Sequence, residues 1–312
     1  MLRKIKYFLN DIKPKELLDK LTREVYSNPF IHVFTDSIIE ESSGFVGNFN
    51  TKIKIQNKRI FELKHGAVLI AVGAKEYKPN EYLYGQNEHV VTNLELVEKI
   101  FNKDEKLLNA ESVAFIQCVG CRNEERNYCA RVCCSNSIKL ALKLKEHKPN
   151  MDVYVIYRDI RTYGFLEQYY KEASEKDVRF IRYEAEEKPT IIGENGKIKV
   201  RVKDFVQNKI LEIEIDYLSL ASAVIPNEDS KEVAKLLKVN LGPNNFFQEA
   251  HVKLRPVDCG AEGVYLAGSC HYPKHLFETI NQAIGAAGRI VTLVSKDTVI
   301  ASGSVWCSGR KK

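Results

Sequence analysis

The sequence predicts an α/β fold with two lobes, and two observations support this prediction. First, the segments SVAFIQCVG, SNSIKLALKLKEH and DVYVIYRDI follow one another as strand, helix and strand, which is the order of a nucleotide-binding crossover unit. Second, two apolar strands, AVLIAVGA and GVYLAGSC, each break into a turn of small residues. Such turns let the backbone approach a ligand closely.

The amino-acid composition argues against nucleic-acid-binding, membrane-spanning and secreted proteins. The 312 residues are 44% hydrophobic and 28% charged, as in ordinary globular proteins, and the net charge of +6 is spread along the chain. The densest basic stretches are the two ends, so we expect no nucleic-acid partner. No run approaches the roughly 18 apolar residues of a membrane span. Without a secretion signal we expect a cytoplasmic protein, where close-set cysteines are more often metal ligands or redox groups than structural disulfides.

The remaining elements follow from hydrophobic periodicity and turn residues. The spacing predicts a helix over 11–26, a short strand over 31–36, a hairpin of alternating strands, and a buried strand over 67–71 that ends in Gly73. Ser135 is a candidate cap for a helix that runs to His147. Further along, the patterns predict these segments in order: the helix FLEQYYKEASEKD, the strand VRFIRYEAE, a polar hairpin, the buried strand YLSLASAVIP and a terminal helix rich in Gly and Ala.

Five of the eight cysteines lie within CVGCRNEERNYCARVCC, from Cys118 to Cys134. Four thiolates are the ligands of a [4Fe–4S] cluster. The pairs Cys118-x2-Cys121 and Cys129-x3-Cys133 would equally serve a structural zinc site. A redox disulfide and inert buried thiols are also compatible with this pattern, and spacing alone does not choose among the four.

Four motifs are more specific. QCVGCRNEERNYCARVCC, YRDIRTYGFLEQYY, AHVKLRPVD and VYLAGSCHYPK resemble those of the heterodisulfide reductase A-subunit family, from about Lys15 to about Asp297. These are FAD-dependent electron-transfer proteins that carry [4Fe–4S] clusters. The resemblance implies an FAD/NAD(P)-binding fold like that of the pyridine-nucleotide disulfide reductases, with two nucleotide-binding-type lobes of which the first is incomplete.

The resemblance also implies site residues. The cluster ligands would be Cys118, Cys129, Cys133 and Cys134. The FAD-contacting residues would be Gly73, Ala74, Gly268, Lys274 and Thr279. Related reductases contact NADPH where Arg158 and Arg161 stand here, but cysteines replace the phosphate loop of that lobe, so we interpret both arginines as structural or interface groups.

The chain departs from the family pattern in three ways. It contains no GxGxxG fingerprint, which removes the ADP half of the FAD site. Cys307-Ser308-Gly309 resembles the start of a ferredoxin-like cluster motif that is then cut off. Cys121 stands where the family usually has a small hydroxyl residue, and we expect it to be a spare thiol.

These observations predict a domain plan of four segments: a partial FAD lobe (1–108), an inserted NAD(P)-type lobe carrying the cysteines (109–222), a return to the FAD lobe (223–297) and a tail (298–312). The predicted function is electron transfer between FAD and a [4Fe–4S] cluster in a heterodisulfide reductase-like complex. The partners would be its other subunits, or a separate chain that supplies the missing lobe. Two different functions stay open: a truncated scaffold subunit with a zinc or cluster site and no stable FAD, and a thiol–disulfide oxidoreductase.

Overall fold

The computed structural model describes residues 5–6, 13–56, 59–194 and 197–298, and the chain divides into two compact units. The first unit comprises 1–32, 74–225 and 273–275; the second comprises 33–73, 226–272 and 276–312. The tail from residue 299 onward, including Cys307-Ser308-Gly309, lies outside the described residues. The assignment of these units to cofactor lobes stays a prediction.

The described chain contains helices and strands in alternating groups. The helices are α1 Pro14–Ser27, α2 Asn93–Phe101, α3 Glu105–Asn109, α4 Cys133–His147, α5 Glu167–Glu175, α6 Ser230–Leu237 and α7 Leu276–Val294. The first strands are β1 Ser37–Phe45, β2 Asn48–Ile55, β3 Arg59–His65, β4 Val68–Ile70, β5 Ala74–Glu76, β6 Val90–Thr92, β7 Ser112–Val119, β8 Asp152–Tyr157 and β9 Val178–Arg182. The later strands are β10 Thr190–Glu194, β11 Lys197–Asp204, β12 Lys209–Ile215, β13 Tyr217–Ser222, β14 Val224–Pro226, β15 Glu249–His251, β16 Arg255–Cys259 and β17 Val264–Leu266.

A five-stranded parallel sheet, in the order β6-β13-β7-β8-β9, forms the centre of the first unit. Its middle strand β7 is buried almost throughout, which explains its continuous apolar sequence, because a parallel sheet is covered on both faces. One face packs on α2, α4 and α5 through residues such as Phe115 and Leu144. The other packs on the antiparallel sheet β10-β11-β12 through residues such as Ile116 and Val200.

The helix after β7 begins earlier than the sequence predicted. It starts at Cys133, and Val132, at the N-cap position, gives the helix no side-chain hydrogen bond. Ser135 therefore does not cap the helix, and its hydroxyl is buried without a hydrogen-bond partner. The reason is that burial of Cys133 and Cys134 extends the first turn toward the cysteine loop.

A buried polar network ties α2, α4 and two strands of the sheet together. The Ser137 hydroxyl accepts hydrogen bonds from Nδ2 of Asn93 at 2.9 Å and from Nε2 of Gln117 at 2.7 Å. Oδ1 of Asn93 in turn accepts from the Ser219 hydroxyl at 2.7 Å. Because buried polar groups are costly unless hydrogen-bonded, this network fixes α4 on the sheet through Gln117, the residue before Cys118.

The second unit contains an antiparallel sheet, β1-β2-β3, and a four-stranded sheet in the order β15-β16-β17-β4. Its core lies around Phe247, Cys259 and Leu266. The strand predicted over 31–36 is wrong: Ile31 and Val33 are exposed, and the first strand begins at Ser37. Across the described ranges, no helix has the length and apolar character that a bilayer crossing needs.

Ser137→Ala is expected to lower the free energy of unfolding by about 1–3 kcal/mol, because it leaves the buried donors of Asn93 and Gln117 without their acceptor. Ser174→Ala on the exposed side of α5 is the control, with a change expected within about 0.5 kcal/mol. Urea titration followed by circular dichroism measures both. Equal stability of the two variants would contradict the role given to this network.

Candidate functional site

The cysteine loop joins the end of β7 to the start of α4. Cys118 has a φ of 64°, and Gly120 follows with a φ of 74°, so the chain leaves the strand in a sharp turn. A Cβ on Gly120 would overlap the ring of Tyr77. Glycine is therefore required at this position both for the positive φ and for the close packing.

The structure brings three of the four predicted ligands, Cys118, Cys133 and Cys134, into one cluster. Cys133 and Cys134 are buried in one cluster with Cys121, and Cys118 packs against it. Cys129 is partly exposed, and its Sγ accepts a hydrogen bond from the backbone N–H of Arg131 at 3.2 Å. The clustered thiols thus come from both ends of the loop, and Cys133 and Cys134 are the first two residues of α4, where free N–H groups favour negative charge.

The thiols are paired by hydrogen bonds. The Cys121 thiol donates to Cys118, and this bond, with the charge of the Arg122 guanidinium, lowers the pKa of Cys118 to about 6 although burial raises it. A hydrogen bond from Cys133 likewise lowers the pKa of Cys134. The pKa of the donating thiols, Cys121 and Cys133, is raised instead. Each loses its hydrogen bond to the partner sulfur when it ionises, and burial disfavours its charged form.

Residues of the RDIRTYG segment contact the cysteine loop and its arginine, Arg122. Nη1 of Arg122 lies 3.8 Å from Sγ of Cys118, and Nη2 of Arg122 pairs with Asp159 of the segment at 2.7 Å. Arg158 donates to the backbone carbonyl of Arg122 at 2.9 Å. Arg158 is thus engaged inside the protein, as a structural group would be. The arginines offset the negative charge that thiolates or an anionic cluster would introduce.

The donor set fits an iron–sulfur cluster, because it consists of thiols alone and is surrounded by N–H and guanidinium donors to sulfur. Thiols alone also suit zinc. Within the ranges that the structure describes, no three or more His, Cys, Asp or Glu side chains converge as tightly as a single metal ion requires. Cys118, Cys129, Cys133 and Cys134 as ligands, and Cys121 as a spare thiol, stay predictions.

The predicted flavin residues fall in both units. In the second unit, Gly268 has a φ of 85° and the Cβ it lacks would lie 3.6 Å from Cγ2 of Thr279. Gly73 has a φ of 76°, and the Cβ it lacks would lie 4.0 Å from Oγ of Ser269. These three residues therefore share one neighbourhood. Ala74, at the start of β5, and the buried Lys274 belong to the first unit.

Sequence reasoning missed a chain of side chains that supports the Gly268 turn. The Gly268 N–H donates to Oε1 of Gln282 at 2.9 Å, and Nε2 of Gln282 contacts Nδ1 of His271 at 2.8 Å. Nε2 of His271 contacts Glu249 at 2.8 Å. The sequence marks His271 only by its position after the small-residue turn, and no local pattern distinguishes Gln282 or Glu249. Their roles arise from tertiary contacts.

Comparison with curated proteins finds relatives of one kind. The iron-sulfur A subunit of the CoB–CoM heterodisulfide reductase of Methanocaldococcus jannaschii is 37% identical over 257 residues, which are 75% of this chain and 38% of that protein. The A subunit of the H(2)/formate:CoB-CoM heterodisulfide,ferredoxin reductase of Methanococcus maripaludis is 36% identical over 261 residues, 77% of this chain and 39% of that protein. The chain thus spans about two fifths of these relatives. The predicted resemblance is confirmed. No protein-family profile matches the chain.

Comparison with solved structures identifies the fold. The thioredoxin reductase of T. acidophilum superposes with a TM-score of 0.59 at 15% identity, over 94% of this chain and 85% of that one. The bacillithiol disulfide reductase of Bacillus cereus superposes with a TM-score of 0.51 at 13% identity, over 93% and 81%. The fold class predicted from the sequence is confirmed.

Gly120→Ala is expected to destabilise the protein more than Gly164→Ala. Both positions have positive φ, but the added Cβ meets Tyr77 only at Gly120, and nothing lies within 4 Å at Gly164. The expected losses in unfolding free energy are about 1–2 kcal/mol for Gly164→Ala and about 1–3 kcal/mol more for Gly120→Ala. Urea unfolding measures the difference, and equal losses would show that the packing against Tyr77 does not constrain the loop.

Proposed function

We propose, from the premise that this chain belongs to the heterodisulfide reductase A-subunit family, that it is an oxidoreductase subunit that passes electrons between FAD and a [4Fe–4S] cluster. The cluster ligands would be Cys118, Cys129, Cys133 and Cys134. The other subunits of a heterodisulfide reductase-like complex would be its partners, and the disulfide would be reduced on one of them.

The observation that supports this proposal is the packing of Cys118, Cys133 and Cys134 in one largely buried cluster directly after β7, with the Arg122 guanidinium beside Cys118. Inert thiols need no arginine beside them, yet Nη1 of Arg122 is directed at Cys118 and the N–H of Arg131 at Cys129. When bound, the cluster would exchange single electrons and the flavin one or two, which lets a two-electron couple be divided into single steps.

The residues of this chain would hold and position the cluster. Cys133 and Cys134 are the first two residues of α4, where the N–H groups that begin the helix favour negative charge. The Arg122 guanidinium would stabilise thiolate charge at Cys118, and Asp159 orients that guanidinium. A hydrogen bond or positive charge near a ligand sulfur favours the reduced, more negative cluster and so raises its potential.

The flavin half rests on the turns of the second unit. Gly73 and Gly268 both have positive φ and no side chain, so their backbone can be approached closely by a ring. Gln282 accepts from the Gly268 N–H and thereby fixes that turn. As flavin contacts, Ala74 and Lys274 stay predictions from the family resemblance.

We propose further that the ADP half of FAD is held by a lobe outside these 312 residues, which docks on β4. Val68 and Ile70 hydrogen-bond toward β17, so the N–H and C=O of Leu69 are directed to the opposite side. In the described sheet β4 is an edge strand, and Leu69 is 41% exposed. Ile284 and Val291 on α7 of the same unit are also exposed. An exposed strand edge of this kind is a template for a further strand.

The cysteine assignment predicts a pattern of metal loss. Anaerobically purified protein is expected to hold about four irons and four sulfides per chain, because four thiolates hold one cluster. Ser substitution at Cys118, Cys129, Cys133 or Cys134 should remove most of both. Cys121→Ser is the matched control and should retain them, since a hydroxyl residue is usual there in the family.

Metal and sulfide analysis with an absorption spectrum measures this pattern. Zinc without iron would contradict the redox proposal and favour a scaffold role. Loss of iron in Cys121→Ser but not in Cys129→Ser would move the ligand assignment to Cys121 while leaving the cluster proposal in place.

The flavin assignment predicts that FAD binds the purified chain and that Gly268→Ala raises its Kd about tenfold, a difference of about 1.4 kcal/mol. The added Cβ would occupy the space beside the turn. Gly85→Ala is the matched control, because Gly85 also has a positive φ, 77°, and has nothing within 4 Å. Quenching of flavin fluorescence measures both constants. The same Kd in both variants would contradict a flavin contact at Gly268.

A further inference from the structure

Arg131 lies between two predicted ligands, and its backbone and side chain have different partners. Its backbone N–H donates to Sγ of Cys129 at 3.2 Å, and its φ is 59°. Its guanidinium extends the other way. Nη1 donates to the backbone carbonyl of Pro273 at 3.3 Å, and Nη2 donates to the Tyr163 hydroxyl at 3.0 Å.

The same guanidinium contacts one flank of Lys274 directly and the other through the Tyr163 ring. On one side it holds the Pro273 carbonyl. On the other, the Tyr163 ring that it contacts packs edge-on against the His275 ring, with centroids 5.6 Å apart. All of these residues belong to the first compact unit. The segment Pro273–His275 is far from the cysteine loop in sequence, and the Arg131 side chain joins the two.

We propose that Arg131 is a positioning residue that couples the cysteine site to the segment Pro273–His275, so that loading of the cysteines orders this segment. This deepens the proposed function and rests on it, since the group loaded is the proposed cluster and Lys274 is one of the proposed flavin contacts. The residues that the family pattern implies for either cofactor do not include Arg131.

The physical steps follow from the geometry. A cluster on Cys129 would fix its sulfur, and because the sulfur accepts the Arg131 N–H, the peptide plane from which the Cα of Arg131 extends would be fixed as well. This sets the direction of the side chain. The planar guanidinium can hold a carbonyl and a hydroxyl at once, which a lysine ammonium on a flexible stem does far less well. Order at the sulfur is thereby passed to the backbone of Lys274, and the coupling acts in both directions.

Hydrogen exchange of the Lys274 and His275 amides, followed by mass spectrometry, tests the proposal in loaded protein and in protein stripped by a chelator. Loading should slow their exchange at least tenfold in the unsubstituted protein and less than twofold in Arg131→Ala. Arg126→Ala is the matched control: it removes a positive charge from the same loop, from a side chain that stacks on Tyr77, and should keep the tenfold response. A tenfold response in Arg131→Ala overturns the proposal.

Arg131→Lys separates the effect of charge from that of geometry, and it also tests the proposal if Arg131→Ala takes up no cluster. The variant keeps the positive charge but loses the planar guanidinium that binds two acceptors at once. It should therefore take up the cluster, and loading should slow exchange of the Lys274 and His275 amides less than twofold. A full response in Arg131→Lys would show that charge suffices and would overturn the positioning role.

Iron and sulfide measured on the same samples separate this proposal from the proposed function. If the unsubstituted protein takes up no cluster, the proposed function fails, and Arg131 is then tested in the stripped protein alone. There Arg131→Ala should speed exchange of the two amides at least threefold relative to the unsubstituted chain, and unchanged exchange would overturn the contact itself.

Discussion

Four cysteine side chains pack together at the end of one buried strand, with Cys129 in the same loop, and the surrounding chain has to compensate for the burial of their sulfurs. A thiolate removed from water is costly unless hydrogen bonds or positive charges face it. The compensation comes from the first turn of α4, from Arg122 and from the N–H of Arg131. Three residues of this region, Cys118, Arg122 and Arg131, have positive φ, an uncommon conformation for residues with side chains. The path of the loop therefore follows from the need to direct donors at sulfur.

The sequence predicted the architecture where burial and pattern agree. The apolar run of β7 and the amphipathic α4 are visible in the sequence because a covered parallel sheet requires both. The prediction failed where local pattern and tertiary packing diverge. The segment 31–36 alternates like a strand, yet Ile31 and Val33 are exposed. The start of α4 was misplaced because Ser135 is a good cap locally, whereas burial of the two cysteines before it decides where the helix begins.

The candidate sites show the same division. That Cys118, Cys133 and Cys134 lie close together could be predicted, because thiol ligands have to be near one another and their spacing in the sequence is local. The residues that support the candidate sites could not be predicted, because Tyr163, Pro273 and Gln282 acquire their roles from partners distant in sequence. The RDIRTYG motif is an example of a segment whose roles depend on the fold. Its sequence resembles a specific family motif, but only the fold shows that Arg158 donates to the carbonyl of Arg122 and that Tyr163 contacts the side chain of Arg131.

The two halves of the proposed function differ in how much of each site this chain would supply. Every cysteine of the loop, and each arginine that faces it, belongs to the first unit, so the packing that would hold a cluster is internal to that unit. Both flavin turns, at Gly73 and Gly268, belong to the second unit, whose four-stranded sheet ends at the exposed edge of β4. The lobe proposed to hold the ADP half of FAD would cover that edge. We therefore expect cluster affinity to depend on this chain alone, and flavin affinity to rise when a dinucleotide-binding lobe pairs with β4.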